Sequence, residues 1–444
     1  MRLILVVLGT CIAFTPVHAM GLIRDAEIEQ ALRQLAKPVL RSAGFGSSRI
    51  RILIINNPTL NAFVIDANHV FIHSGLIMKL HRPEALQAVI AHELAHIANG
   101  HLTRRATNAR VAGRVTAIGL ALAAAAAVSG NGQAAAGLAA GTSSSAARRF
   151  FAHTRSEESS ADQSALRYMA SAGVDPEAMT DVLELFRGQE ALRPGRQDPY
   201  TRTHPLTQDR LRAVKGYVAG FKSRTKPTTP EAKYWYGRMS AKLSGFLRNP
   251  RYVLRRTESK GNGEIAILRR AIAYHRTPDL KKATKELNAL LKIRPRDPYY
   301  HELKGQILLE GRQFGGAVAA YRQALALAPR EPLIEAGLGR ALLAEGSRGA
   351  TQQALKILIN ARSRDPGDPQ ILRNLAVAYA KNGQNAQASV ATAERYSILG
   401  RHKDASVHAK RALGVLPRGS SGWLRAQDVL AASQVATSSK RKRR

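Results

Sequence analysis

An α+β domain with a small sheet, followed by an all-α repeat solenoid, is the architecture the sequence predicts, and three observations predict it. Short runs rich in Ile, Val and Phe lie early in the chain. Segments with helical periodicity follow them. Prolines then recur about 34 residues apart in the C-terminal part. At 444 residues the chain has room for two domains, and a hydrophobic content of 45% supports packed cores and excludes a disordered chain.

Residues 1–19 read as a signal peptide. One positive charge at Arg2 precedes an apolar run from Leu3 to Phe14, and Val17-His18-Ala19 gives the small-residue end of a cleavage site. The run is short for a membrane span. Cys11 is the only cysteine. Thr10 before it, and the apolar run continuing past it, argue against lipid attachment there. Cleavage after Ala19 removes it, so the mature chain has no disulfide, no cysteine nucleophile and no cysteine-ligated metal.

The formal net charge is +35. Lys and Arg are scattered along both halves and do not alternate with aromatics, which make up only 5% of the chain. With an export signal, that distribution argues against nucleic acid. It points instead to anionic surfaces such as lipid headgroups or cell-wall polymers. The run Lys440 to Arg444 follows a Ser/Thr-rich stretch, and residues 434–444 read as a basic disordered tail.

Strands are expected over 49–56, 61–66 and 69–77, separated by Pro, Asn and Asp. A helix starts at Pro83 and ends near Gly100. Residues 115–128 are apolar on all sides, "SGNGQ" interrupts them and "AAAGLAAG" follows. Two short helices in a hairpin over 115–141 result, either in the core or as a membrane-dipping or lid element. Another helix covers 147–172 and closes at Gly173, and Asp175-Pro176 opens the next. The first domain then spans 20–220. Residues 221–261 read as a linker, although the basic, Tyr/Trp-containing stretch 231–260 has no clear place.

From residue 262 to 433 the pattern is one of paired helices. Pro295 and Pro329 are 34 apart, as are Pro298 and Pro332, and the next interval, to Pro366 and Pro369, is 37. Gly305, Ala317, Tyr321, Ala324 and Pro329 stand where the tetratricopeptide repeat has Gly, Ala, Phe, Ala and Pro. Ala271, Tyr274, Ala283 and Pro295 echo this one repeat earlier, and Gly339, Ala354, Ala361 and Pro366 one repeat later. Such stacks form concave surfaces that bind partners.

The chemistry lies in "HELAHIANGH", residues 92–101. On a helix His92 and His96 share a face and can present ring nitrogens to one metal ion. Glu93 lies about 100° round the helix from His92, poor as a ligand but well placed to move a proton to or from a water beside the metal. A catalytic zinc needs a third protein ligand and one open position. "SEESSAD", residues 156–162, offers Glu158 as that ligand, with Asp162 one turn on to accept the N–H of a ligating histidine. Glu157 competes with Glu158 but does not share a face with Asp162. His101, nine positions from His92, falls on the opposite helix face and reads as structural. His153 reads as local packing. His204 could cap the helix that follows Pro205.

His92-Glu93-Leu94-Ala95-His96, then Glu158-Ser159-Ser160-Ala161-Asp162, then His204-Pro205 with Arg210, resemble the BepA-type zinc metallopeptidases, relatives of HtpX and the prenyl-protein endoprotease family. The resemblance covers nearly the whole mature chain. It implies a gluzincin-like fold, one Zn2+ per chain held by His92, His96 and Glu158, and Glu93 as catalytic base. His204 would be a fourth ligand latching the site. Its rival role is catalytic, with His204 and Arg210 facing the oxyanion. The resemblance also implies a periplasmic endopeptidase in outer-membrane protein quality control. Its substrates would be unfolded or misassembled envelope proteins, with the repeats contacting the assembly machinery and 115–141 making peripheral contact with the membrane. A binding scaffold or chaperone with silent proteolysis is the alternative. Ser160 departs from the family's usual second glutamate.

Overall fold

The computed structural model describes residues 21–104 and 155–441, apart from 47–48, 194–195, 222, 224, 259–260 and 262. Residues 1–19, expected as a signal peptide, the 115–141 stretch and His153 lie outside the described residues. The chain divides into two compact units, one over Ile23–Arg276 and one carrying Thr277–Arg444.

The first unit opens with β1 (Leu22–Ile23) and α1 (Ala26–Ser42). The Asp25 side chain caps α1 by accepting from the Ile28 amide at 2.9 Å. Its buried face carries Ile28, Leu32, Leu35 and Val39. Then come β2 (Arg51–Ile55), β3 (Ala62–Val64) and β4 (His69–His73), in the sheet order β1-β2-β4-β3. β4 runs parallel to β2, with Ile52 opposite Val70 and Ile54 opposite Ile72, and antiparallel to β3, with Ala62 opposite Ile72.

The third strand ends earlier than the 69–77 expected, because the chain turns into α2 (Ser74–Lys79). The Gly75 amide donates to the Asn57 carbonyl at 2.9 Å, and Ser74 Oγ donates to the same oxygen at 3.1 Å. A Cβ at Gly75 would meet the Pro58 carbonyl oxygen at 2.1 Å, so only glycine lets the backbones approach this closely.

The helix carrying His92 is α3 (Pro83–Ala98), with Pro at its first position and every residue from Pro83 to His96 buried. A helix apolar on all sides belongs in the middle of a domain. α1, the sheet and three further helices pack round it: α4 (155–172), α5 (Glu177–Glu184) and α8 (Pro230–Leu247). Between α5 and α8 lie α6 (Pro199–Thr203) and α7 (Gln208–Phe221). α9 (Pro250–Glu258) and α10 (Glu264–Arg276) complete the unit.

Residues 221–261 are therefore no linker. Met239 and Leu243 of α8 join the core, and Arg238 and Lys242 are fully buried. Arg238 Nε bonds Glu27, while Lys242 Nζ reaches Asp25 Oδ2 at 2.8 Å and Glu27 Oε2 at 3.3 Å. Two basic side chains of this stretch, Arg238 and Lys242, are thus the complement of Asp25 and Glu27 at the start of α1. Arg238→Met leaves Glu27 short of a buried counter-charge, and removing one partner of such a pair costs about 3–5 kcal/mol. Urea unfolding of the two proteins measures that loss directly.

The second unit is a run of helices over Leu280–Ile293, Pro298–Glu310, Phe314–Leu327, Pro332–Glu345, Arg348–Arg364, Pro369–Lys381, Asn385–Ile398, His402–Leu413 and Ser421–Arg441. The prolines stand at helix starts. Asp297 accepts from the Tyr299 and Tyr300 amides in front of Pro298, and Asp368 repeats this before Pro369. Buried Tyr321 fits between helices only because its neighbours lack Cβ atoms. A Cβ at Gly305 would lie 2.6 Å from its ring, and one at Gly337 2.3 Å. Residues 434–441, expected as a disordered tail, continue the last helix. Ala271 and Tyr274, read as an early repeat, sit on α10 in the first unit. Among the described residues no helix is long and apolar enough to cross a membrane.

Candidate metal centre

α3 presents His92 and His96 on one face, one turn apart. α4 faces it with Glu158 and Asp162, again one turn apart. Asn99, just past the end of α3, bonds the Ser160 and Ser164 hydroxyls at 3.1 and 3.2 Å and so ties the two helices together. His204 follows α6, its backbone amide donating to the Tyr200 carbonyl at 2.7 Å.

These elements bring His92, His96, Glu158 and His204 into one buried group whose ligand atoms all lie within 4.8 Å of one another. His92 Nε2 is 3.1 Å from His96 Nε2, 3.3 Å from His204 Nδ1 and 3.2 Å from Glu158 Oε2. Glu158 Oε2 is 3.0 Å from His204 Nδ1, and Glu158 Oε1 is 3.5 Å from His96 Nε2. A four-coordinate ion with bonds of about 2.0–2.1 Å needs ligand atoms roughly 3.3 Å apart, the edge of its tetrahedron. The contacts of 3.0–3.5 Å are close to that edge, within a group that spreads to 4.8 Å. One proton can bridge only one pair of ring nitrogens, whereas one cation serves all four atoms, so the donor set fits a metal ion. Glu157 is outside the group.

The surroundings fix these groups in place. Asp162 Oδ1 lies 3.0 Å from His92 Nδ1. Burial pulls the His92 imidazole down, but Asp162 and Glu158 outweigh burial and bring it up to about 9. Burial also raises Glu158, yet His204, His96 and Arg210 hold it well below the usual carboxylate range. Asp162 is lowered against its own burial, chiefly by Arg210.

Arg210 is engaged with both Glu158 and Asp162 of α4. Its Nε and Nη2 grip Asp162 at 2.5 and 2.8 Å, Nη1 lies 3.2 Å from Glu158, and Nη1 also donates to the Pro205 carbonyl at 3.2 Å. One guanidinium thus neutralises two buried carboxylates and holds the His204 segment. Glu93 is fully buried beside the ligands, with Oε1 3.4 Å from His204 Nε2.

Two residues at the site were not given a role from sequence. Tyr200 packs its ring 4.7 Å from that of His204 and stacks on Phe186 at 4.6 Å, fixing the approach of His204. No spacing rule points to it. His101 is the other. The expectation of an opposite face fails because α3 ends at Ala98 and Gly100 takes φ 69, which turns the chain back. His101 Nδ1 then lies 2.9 Å from His96 Nδ1, buried against a ligand on its side away from the cluster. The glycine before it was the available signal.

Residues 23–218 match peptidase family M48, and residues 347–394 match the tetratricopeptide repeat. The chain is similar to the Beta-barrel assembly-enhancing protease of Yersinia pestis, 24% identical over 385 residues that cover 86% of this chain and 78% of that one. The protein of the same name in Escherichia coli strain K12 is 25% identical, covering 86% and 77%. The Mitochondrial metalloendopeptidase OMA1 of Schizosaccharomyces pombe is 25% identical over 42% of this chain and 51% of that one. The buried cluster lies inside the matched segment, and residues 23–218 are a metalloendopeptidase domain of peptidase family M48, carried in one chain with tetratricopeptide repeats.

Proposed function

We propose that this chain is a periplasmic zinc endopeptidase that acts on unfolded or misassembled envelope proteins, in a form latched by His204. The observation that carries this reading is the group of four buried ligand atoms within 4.8 Å of one another, with a glutamate beside it. His92, His96 and Glu158 would hold the zinc. When bound there, zinc lowers the pKa of a water to about 7 and polarises a carbonyl as a Lewis acid.

The remaining chemistry belongs to the chain. Asp162 fixes the ring of His92, and Arg210 keeps Asp162 and Glu158 charged. His204 Nδ1 would fill the fourth position, the place a water needs, and that latch would keep the enzyme latent. When His204 withdraws, Glu93 is positioned to take a proton from water and return it to the leaving amine. Withdrawal requires a partner or substrate that binds the open state better than the closed one. The name of the bacterial relatives supports β-barrel proteins of the outer membrane as the client class. The helical repeats supply a surface of the kind that recruits them.

Removing residues 277–444 should leave a folded peptidase unit that still binds metal, because the division falls between compact units. Envelope proteins that copurify with the full chain should be lost. Their persistence would place recruitment in the peptidase unit instead.

A further inference from the structure

One cavity of the peptidase unit lies away from the metal cluster. It lies among α2, α8, α9 and α10, has a volume of about 480 Å³, and none of its lining residues is acidic. Three arginines reach it: Arg248 after α8, Arg256 on α9 and Arg269 on α10. Arg248 and Arg256 flank the Tyr252 ring, 6.0 and 5.8 Å from its centroid, and Arg256 Nη1 donates to the Tyr252 hydroxyl at 3.0 Å. Buried Nε of Arg269 has no hydrogen-bond partner. Burial and the charges of Arg248 and Arg256 together push the Arg269 guanidinium below its ordinary value.

Three like charges converging on one cavity repel one another, and a buried donor without a partner costs stability. Neighbouring acids relieve that cost elsewhere in this unit, as Glu27 does for Arg238. Here nothing does. We propose that this cavity binds a phosphate group, as inorganic phosphate or as the headgroup phosphate of a lipid. A carboxylate would offset one of the three charges. A phosphate carries up to two charges and offers several acceptor oxygens to guanidinium forks. The volume exceeds that of a bare phosphate, and Ile77, Leu80 and Val253 give it an apolar wall against which an organic phosphate can lie. None of these residues belongs to the metal cluster, so the inference stands or falls independently of the peptidase reading.

Thermal unfolding of the full chain in phosphate and in chloride, at equal ionic strength, tests it. The proteins are wild type, Arg269→Met, Arg256→Ser and Arg193→Met. Arg193 is exposed and outside the cavity, so its loss controls for one unit of net charge. Phosphate should raise the midpoint of wild type and Arg193→Met by about 3 °C or more, and that of the two cavity variants by much less. Because phosphate stabilises any protein somewhat, the comparison with Arg193→Met is the reading. A second arm measures sedimentation with phosphatidylglycerol vesicles and with phosphatidylcholine vesicles. Anionic-vesicle binding weakened severalfold in both cavity variants, against Arg193→Met, identifies a lipid phosphate as the source. Discrimination by inorganic phosphate alone identifies the free anion. If all three variants behave alike in both arms, general charge attraction explains everything and the site does not exist.

Discussion

Replacing Glu93 with glutamine should leave the metal bound and reduce hydrolysis of an unfolded protein by about 10²- to 10⁴-fold, the contribution of a general acid–base group. The separation of the two effects follows from geometry. His92, His96, Glu158 and His204 supply the ligand atoms, and Glu93 is not among them. Glutamine keeps the shape of the side chain and its packing beside the ligands, but it cannot take a proton from water. Metal content and hydrolysis, measured on the same preparations, check this. Undiminished hydrolysis by Glu93→Gln would remove the glutamate from the mechanism. Because the proposed latch would mask activity, the comparison is made in the His204→Ala background as well as in the native one.

His204→Ala should raise hydrolysis. The imidazole occupies the fourth corner of the cluster, with Nδ1 3.3 Å from His92 Nε2 and 3.0 Å from Glu158 Oε2. A closed four-ligand site has no place for water. If the open state is populated at 0.1–10%, as minor states commonly are, freeing the corner raises activity by roughly 10- to 10³-fold. The opposite sign is expected of a group that stabilises the transition state, whose removal costs about 10²- to 10³-fold. His204 Nε2 lies 3.4 Å from Glu93 Oε1, so alanine also removes a neighbour of the base. Retained metal with increased hydrolysis supports the latch. Retained metal with lost hydrolysis assigns His204 to catalysis.

What was legible in the sequence, and what was not, divides along physical lines. His92 and His96 were legible because a helix puts residues four apart on one face, and the pairing of Glu158 with Asp162 obeys the same rule. Gly305, Ala317, Tyr321 and Ala324 were legible because helix pairs packing at short distance need small residues at fixed intervals. The arrangement of His204 came from resemblance to a family rather than from spacing, since 46 residues separate it from Glu158. Helical geometry misled for His101, because the turn at Gly100 breaks the periodicity on which faces depend. The partners of Arg210 were not legible, because charge in a sequence does not say which buried acid it answers. The same holds for Arg238 and Lys242, whose partners Asp25 and Glu27 lie more than 200 positions away. A basic stretch resembles a linker until its buried acids are known.

The central claim is that His92, His96, Glu158 and His204 hold one zinc ion per chain. Elemental analysis of the purified full chain tests it most directly, alongside a Glu158→Gln variant that keeps the size of the side chain but loses its charge. The claim requires close to one zinc per wild-type chain and a large loss in the variant after the same dialysis. A wild-type chain without metal, or equal zinc in both proteins, would contradict it.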